Sequence, residues 1–104
     1  MNVLSPQAIR AFIERFPEAE EVMRVWYNDL RKLEPENFAQ LKAHFPAVDA
    51  VRIAKYDVVV FIFDVGGNKY RVVTRLDFEH RIGFILLIFT HDEYTRWNRA
   101  GRPL

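Results

Sequence analysis

The sequence predicts an α+β fold in which N-terminal helices pack on an antiparallel β-sheet and a short C-terminal helix follows. Two observations support this prediction. Apolar residues recur at helical spacing in the first half of the chain, whereas the second half contains three runs of strand length that are dense in Val, Ile and Phe. Short connections between these runs favour antiparallel pairing. The chain has 104 residues, of which 50% are hydrophobic, so residues 1–104 are expected to form a single domain.

Three amphipathic helices are predicted first, each delimited by proline, which fits the first helical position but not a helix interior. The predicted helices cover residues 6–16, 17–33 and 38–45. Ser5-Pro6 supports the first start, because it combines an N-cap residue with a proline at the first helical position. The apolar stripes include Ile9, Phe12, Ile13 and Phe16 in the first helix, Val22, Met23, Trp26, Leu30 and Leu33 in the second, and Phe38, Leu41 and Phe45 in the third.

The predicted sheet has three main strands and a weaker candidate before them. They cover residues 48–54 (the weaker candidate), 57–65, 69–77 and 81–89. Gly66, Gly67 and Asn68 are residue types that tolerate positive φ, so the chain is expected to reverse there and form a hairpin. The first and third main strands are apolar on both faces, and we expect them to be buried more completely than the second.

The strand that follows the turn has the most informative alternation, because successive side chains of a strand point to opposite faces. Lys69, Arg71, Val73 and Arg75 share one face, and Tyr70, Val72, Thr74 and Leu76 share the other. The pattern therefore predicts one cationic face and one mostly apolar face.

A terminal helix over residues 91–99 is predicted from several independent signals. Thr90 followed three residues later by Glu93 is a capping box, in which each side chain bonds the other residue's backbone N–H. Phe89 is expected to pack on Tyr94 across the cap as a hydrophobic staple. The chain is thus expected to turn from the last strand directly into this helix.

His91 then lies in the first helical turn, where the helix dipole disfavours its cation but a nearby phosphate favours it. It is a candidate acid or base for phosphate chemistry. From the residues alone, a second interpretation stays open. At such positions, lysine and arginine are more often solvated charges or cross-strand partners, here of Asp64 and Asp77, than catalytic groups. A histidine at a helix start, such as His91, is likewise more often a surface residue.

Composition excludes several classes of site. The chain has no cysteine, so no disulfide is expected. Its three histidines are scattered along the sequence, so no metal site is expected, and no cofactor is expected either. Residues 1–10 lack the apolar core of a signal peptide and no run of 18 apolar residues occurs, so a soluble cytoplasmic protein without a membrane partner is expected. Residues 1–50 carry six basic against eight acidic residues, and residues 51–104 carry nine against six. The basic excess lies in the half that contains the hairpin.

Two stretches carry a resemblance to a known family. They are residues 63–73, Phe-Asp-Val-Gly-Gly-Asn-Lys-Tyr-Arg-Val-Val, and residues 90–94, Thr-His-Asp-Glu-Tyr. At this spacing they resemble the HigB-type toxins, mRNA interferases of the RelE/ParE toxin superfamily, and the resemblance covers nearly the whole chain. It implies a RelE-like fold. It also implies the toxin of a type II toxin–antitoxin system, a metal-independent endoribonuclease that cleaves mRNA at the ribosome and so inhibits translation.

The resemblance also implies a site. Its catalytic residues would be Lys69, Arg71 and His91, and its RNA-binding residues would be Asn68, Arg75 and Tyr94. RNA supplies its own nucleophile, the 2′-hydroxyl, so cleavage needs a proton-transfer group and cations for the phosphorane charge, but no metal. His91 would be the acid or base, Arg71 would hold two phosphate oxygens and Lys69 would add a point charge. The family often has a basic residue in the last strand where this chain has Leu86.

The implied partners are translated mRNA and a helix-turn-helix antitoxin of the HigA type. Two alternative functions are kept. ParE-like members of the superfamily share the fold, act on DNA gyrase and lack the nuclease residues, and a third possibility is an RNA-binding module without turnover. The pairing of Arg71 with His91 favours the nuclease.

Overall fold

The computed structural model of the chain describes residues 1–104. Its elements are β1 (Asn2–Leu4), α1 (Pro6–Arg15), a 3₁₀ turn (Pro17–Ala19), α2 (Glu20–Lys32), α3 (Phe38–His44), β2 (Asp49–Ile53), β3 (Val58–Val65), β4 (Tyr70–Asp77), β5 (Ile82–Thr90) and α4 (His91–Arg99). The predicted α+β fold is confirmed, with helices before the main strands and a short helix after them. None of these helices combines the length and apolarity needed to span a lipid bilayer.

The five strands form one sheet in the order β1-β5-β4-β3-β2. The β2 to β5 strands pair antiparallel in sequence order, as predicted. One strand was not predicted: β1 pairs in parallel with residues 82–84 of β5. Three residues, of which only Val3 is buried, give no detectable alternation, so this strand depends on a partner about 80 residues away rather than on its local sequence.

The helix bounds differ from the prediction mainly at Pro17. The predicted second helix, residues 17–33, is a 3₁₀ turn over the first three residues followed by α2, which ends at Lys32. Phe16 has a φ of −132° and a ψ of 77°, which are not helical values, so α1 ends at Arg15 rather than continuing through the proline. Proline has no backbone N–H to donate, which is why the chain restarts here with a tighter turn.

The sheet separates two apolar cores, and this separation positions the candidate site. On one face, α1, α2 and α3 pack on a core of 16 buried residues. On the other face, α4 packs through Trp97 on a core of five buried residues, Ile53, Val60, Ile62, Val73 and Trp97. Val73 is fully buried there. The β4 face that the sequence predicted to be cationic is therefore apolar at its centre, with Arg71 and Arg75 on either side of it.

Burial of the outer strands also differs from the prediction. The β3 strand is buried on both faces, as expected, but most of β5 is only partly buried, and Phe84 and Leu86 are exposed. The reason is that β1 is short. It pairs only with residues 82–84, so residues 85–90 of β5 have β4 on one side and no strand on the other, and they form an edge of the sheet.

Candidate functional site

The turn between β3 and β4 is organised by Asp64. Its Oδ1 accepts a hydrogen bond of 2.8 Å from the backbone N–H of Asn68. Asn68 has a φ of 77° and Gly66 a φ of 71°, so the predicted reversal through positive φ is confirmed. A Cβ at Gly66 would also lie 3.2 Å from the ring of Tyr70. The turn is thus fixed by its own residues before any ligand is considered.

Arg71 is held against this turn from several sides. Its Nη1 donates to Asp64 Oδ1 and to the carbonyl oxygen of Tyr70, both at 3.3 Å, and its Nη2 donates to Asn68 Oδ1 at 2.6 Å. The guanidinium carbon lies 5.3 Å from the centre of the Tyr94 ring. Only 15% of the side chain is exposed. These contacts fix the guanidinium of Arg71 beside the turn.

This arrangement decides between the interpretations of Arg71 that the sequence left open. The cross-strand pair with Asp64 is present, so Arg71 is not an ordinary solvated charge. The pair arises because the register places Asp64 directly opposite Arg71. An arginine has five N–H groups, so the three hydrogen bonds leave others for a ligand. Arg71 is therefore a preorganised cation rather than a mobile one.

Lys69 and His91 lie beside Arg71 and are the exposed part of the cluster. The backbone N–H of His91 donates to the carbonyl oxygen of Lys69 at 3.0 Å, which ties the first residue of α4 to the turn before β4. Both side chains are exposed, and neither forms a side-chain hydrogen bond or an ion pair. Unlike the side chain of Arg71, these two side chains have no partner within the protein. The structure thus brings Asn68, Lys69, Arg71, His91 and Tyr94 together.

The start of α4 has the predicted capping box. Thr90 Oγ1 accepts from the backbone N–H of Glu93 at 3.2 Å, and Glu93 Oε1 accepts from the backbone N–H of Thr90 at 2.9 Å. The ring centres of Phe89 and Tyr94 are 6.5 Å apart, so the two side chains pack across the cap as the predicted hydrophobic staple. Sequence reasoning missed one further contact. Glu93 Oε2 also accepts from Arg15 at 2.8 Å, and the 78 residues between them leave no local signal for this pair.

These contacts shift the pKa of Glu93. Partial burial raises the pKa of the carboxyl, but the hydrogen bonds from the backbone of Thr90 and from Arg15 outweigh it and hold the pKa below its ordinary 4.5. Because the folded-state pKa is lowered, the charge of Glu93 stabilises the fold above pH 4.5, and this contribution is lost as the pH falls through the lowered pKa.

Glu93→Gln is expected to test this linkage, since Gln keeps the capping geometry but not the charge. Wild type should melt at a higher temperature than Glu93→Gln at neutral pH, and the difference should shrink as the pH is lowered below 4.5. Thermal unfolding followed by circular dichroism at several pH values measures it. Asp92→Asn, in the same turn but exposed and without a hydrogen bond, is the matched control. A constant difference between wild type and Glu93→Gln at every pH would contradict the assignment.

Arg75 does not join the cluster, although the sequence interpretation grouped it with Lys69 and Arg71. It lies four residues further along β4 than Arg71, or about 13 Å away, opposite Phe84. There it lines a separate cavity of about 430 Å³ with Leu86 and five other residues. The register of β4 and β5 shifts between Val73 and Thr74. Leu86 carries no charge, so Arg75 is the one basic residue that lines this cavity.

No group of three or more His, Asp or Glu side chains is arranged so that it could hold a metal ion. His44 and His80 are each paired with an aspartate instead, Asp29 at 3.0 Å and Asp77 at 2.8 Å. The charged and titratable side chains around the turn thus include the cations Arg71 and Lys69 and the imidazole of His91.

Comparison with known proteins identifies the family to which the chain belongs. The HigB toxins, RelE-like toxic components of toxin-antitoxin systems, match residues 19–97. This match spans most of the chain and includes every residue of the cluster. The chain belongs to the HigB toxin family. The resemblance inferred from the hairpin and from the start of α4 is thereby confirmed, and membership implies an antitoxin as partner.

Individual members of the HigB family resemble the chain over almost their full length. The mRNA interferase toxin HigB of Escherichia coli K12 is 31% identical over 102 residues, which cover 98% of this chain and 95% of the relative. The mRNA interferase HigB of Shigella flexneri gives the same values. The mRNA interferase HigB of Escherichia coli O6:H1 is 24% identical and covers 98% and 96% of the two chains.

Proposed function

We propose that the chain is the toxin of a type II toxin–antitoxin system and acts as a metal-independent endoribonuclease that cleaves mRNA. The observation that carries the proposal is the cluster around Arg71, in which one fixed guanidinium lies beside the exposed Lys69 and His91. The names of the relatives, mRNA interferases, support the substrate. Residues 1–104 act as one toxin domain in the cytoplasm.

The proposed reaction uses the 2′-hydroxyl of the RNA as nucleophile. Its oxygen attacks the adjacent phosphorus, the bond to the 5′-oxygen breaks, and the products are a 2′,3′-cyclic phosphate and a free 5′-hydroxyl. Arg71 and Lys69 stabilise the negative charge that develops on the phosphorane oxygens. His91 is the proton-transfer group, because it is the one imidazole of the cluster and imidazole is the side chain that most often transfers protons in catalysis.

The neighbours of Arg71 have supporting roles in this proposal. Asn68 and Tyr94 hold the guanidinium, one through a hydrogen bond of 2.6 Å and the other through its ring face. Tyr94 therefore acts on RNA mainly through Arg71. Arg75, in its separate cavity, contacts the RNA backbone away from the scissile bond. Position along the sheet thus separates RNA binding from cleavage.

The cluster has one imidazole, and its one carboxylate, Asp64, is already paired with Arg71. For this reason we place the substrate on the ribosome, where translated mRNA is held in position and only the charge and one proton transfer need be supplied. The partner that silences the toxin is proposed to be a helix-turn-helix antitoxin of the HigA type. An antitoxin with acidic side chains would complement Lys69 and His91.

The proposal predicts the products and their independence from metal. Translating ribosomes incubated with the purified chain should yield cut mRNA that ends in a 2′,3′-cyclic phosphate or the derived 3′-phosphate. Cleavage should persist when free divalent metal is removed while polyamines keep the ribosomes intact. Primer extension and end-group analysis of the fragments measure both results. Loss of cleavage on chelation, with ribosomes still intact, would contradict the metal-independent mechanism.

The same experiment separates the two alternatives. A ParE-like toxin would arrest growth without cutting mRNA, and an RNA-binding module would retain RNA without producing fragments. In cells, induction of the chain should arrest growth, and co-expression of the neighbouring helix-turn-helix protein should relieve the arrest. Growth that continues unchanged on induction of the wild-type chain would argue against toxin function.

A further inference from the structure

A second basic region lies at the opposite end of α4 from His91. A cavity of about 330 Å³ opens there between the loop after β2 and the residues that follow the helix. Its lining residues are Arg52, Ile53, Ala54, Lys55, Asn98, Gly101 and Arg102. Three of the seven are cations and none is acidic. We call this region the distal basic pocket.

The charge of the distal basic pocket is not neutralised by its surroundings. Arg52 forms an ion pair with Asp57 at 2.6 Å, but Lys55 and Arg102 have no acidic partner. Residues 94–104 contain three arginines and no Asp or Glu. An anion is therefore the expected ligand, since two cations there lack a counter-charge.

The C-terminal end of α4 does not oppose an anion at this place. Helix C-termini carry partial negative charge on their last carbonyl groups. Here the carbonyl oxygens of residues 96, 97 and 98 accept backbone hydrogen bonds from Ala100, Arg102 and Gly101. The Nε of Arg102 donates to Asn98 Oδ1 at 2.8 Å, which holds this arginine on the end of the helix. The carbonyls are thus covered and a cation is fixed beside them.

An exposed aromatic ring adjoins these cations. Tyr56 is 37% exposed, its hydroxyl accepts from the backbone N–H of Leu104 at 3.2 Å, and the Lys55 ammonium lies 5.5 Å from its ring centre. Cations beside an exposed aromatic side chain are the combination that binds single-stranded nucleic acid, through phosphate contacts and base stacking. Tyr56 and Lys55 thus favour RNA over a simple inorganic anion.

We propose that the distal basic pocket binds backbone phosphates of RNA, with Lys55 and Arg102 as the principal contacts and Tyr56 as a stacking surface. The proposal rests on the proposed function in taking RNA as the ligand. Asn98 follows His91 by seven positions in α4, about 10 Å along the helix axis, so one strand several nucleotides long reaches both places. The phosphates belong either to the message or to ribosomal RNA.

The test uses RNA that cannot be cleaved, so that binding is measured independently of the catalytic cluster. A single-stranded 2′-O-methyl oligonucleotide of about 16 nucleotides and intact ribosomes are the two probes. The double variant Lys55→Gln/Arg102→Gln is compared with wild type and with Arg10→Gln/Arg24→Gln, two exposed helix cations outside both sites. Fluorescence anisotropy gives the oligonucleotide affinity across a salt series, and co-sedimentation gives ribosome binding.

Loss of two phosphate contacts should reduce the slope of log K against log salt by about 1.4, at about 0.7 for each contact on a single strand. Weaker oligonucleotide binding by the double variant assigns the pocket to the message, and weaker binding to ribosomes alone assigns it to ribosomal RNA. Binding to both probes that matches the control variant overturns the proposal. A wild-type chain that binds neither probe overturns the proposed function as well.

Arg102 also packs on the helix end, so a second pair of variants keeps the test decisive if its replacement unfolds the chain. Lys55→Glu changes the charge by the same amount at a fully exposed position, and Arg24→Glu is its control. Lys55→Glu should weaken RNA binding at low salt far more than Arg24→Glu does. Equal effects of the two reversals would show only a general response to net charge and would refute the proposed pocket.

Discussion

Replacing Arg71 with Ala is expected to lower mRNA cleavage by about 100- to 1,000-fold, the range found when one preorganised donor to a developing oxyanion is removed. The guanidinium is fixed by Asp64, Asn68 and Tyr94, so no reorganisation is needed when charge develops on the phosphate. Arg71→Lys keeps the charge but not the planar fork, and should recover only part of the activity. Cleavage of translated mRNA, followed by primer extension at matched toxin concentration, measures the loss.

The same substitution should also cost stability, and more than the loss of a solvated arginine would. An exposed strand position would change the free energy of unfolding by under about 0.5 kcal/mol. Arg71 is mostly buried instead, and its loss removes the charge-assisted hydrogen bonds to Asp64 and Asn68, so a cost of about 1–2 kcal/mol is expected. Arg10→Ala, an exposed cation on α1, should change neither cleavage nor stability. A folded Arg71→Ala chain that cuts mRNA at the wild-type rate would remove Arg71 from the site.

The largest effect on stability is expected for Phe63→Ala. Phe63 is 1% exposed. The ring centres of Trp26 and Phe45 each lie 5.2 Å from the centre of its ring, and both pairs are edge-to-face. Removing a buried phenylalanine ring costs about 3–5 kcal/mol, against a total of about 5–15 kcal/mol for an ordinary domain. Urea denaturation followed by tryptophan fluorescence measures the change in the free energy of unfolding.

Phe84→Ala is the matched control for this prediction, because Phe84 is also a strand phenylalanine but is 44% exposed. Its replacement should cost far less, since it leaves little buried cavity. If both variants lost the same stability, the core around Trp26 and Phe63 would not be the main source of stability of the fold.

Sequence reasoning succeeded where a feature depends on neighbouring residues. The turn at Gly66 and Asn68 needs only residue types that accept positive φ, and both adopt it. The capping box of Thr90 and Glu93 needs only their spacing, and both of its hydrogen bonds are present. In such cases the chain within a few residues supplies all the energy that selects the conformation.

It failed where a feature depends on distant partners. Val73 was predicted to lie on a cationic face, but Trp97 of α4 covers it. Asp64 was one of the predicted partners of Arg71, but only the register of the folded sheet selects it over a solvated arginine. The pair of Arg15 with Glu93 has no local signature at all. These contacts form only after the sheet and the helices have docked, so periodicity over a short window does not contain them.

The order of the elements along the chain also determines when the cluster can form during synthesis. The backbone of β1 can form its hydrogen bonds with β5 only after residues 82–84 have been synthesised. His91 lies later still, directly after β5. A nascent chain that has emerged as far as β4 therefore holds Arg71 but neither His91 nor the face of Tyr94 that supports the guanidinium. The cluster is therefore complete only after β5 and the start of α4 have also been translated.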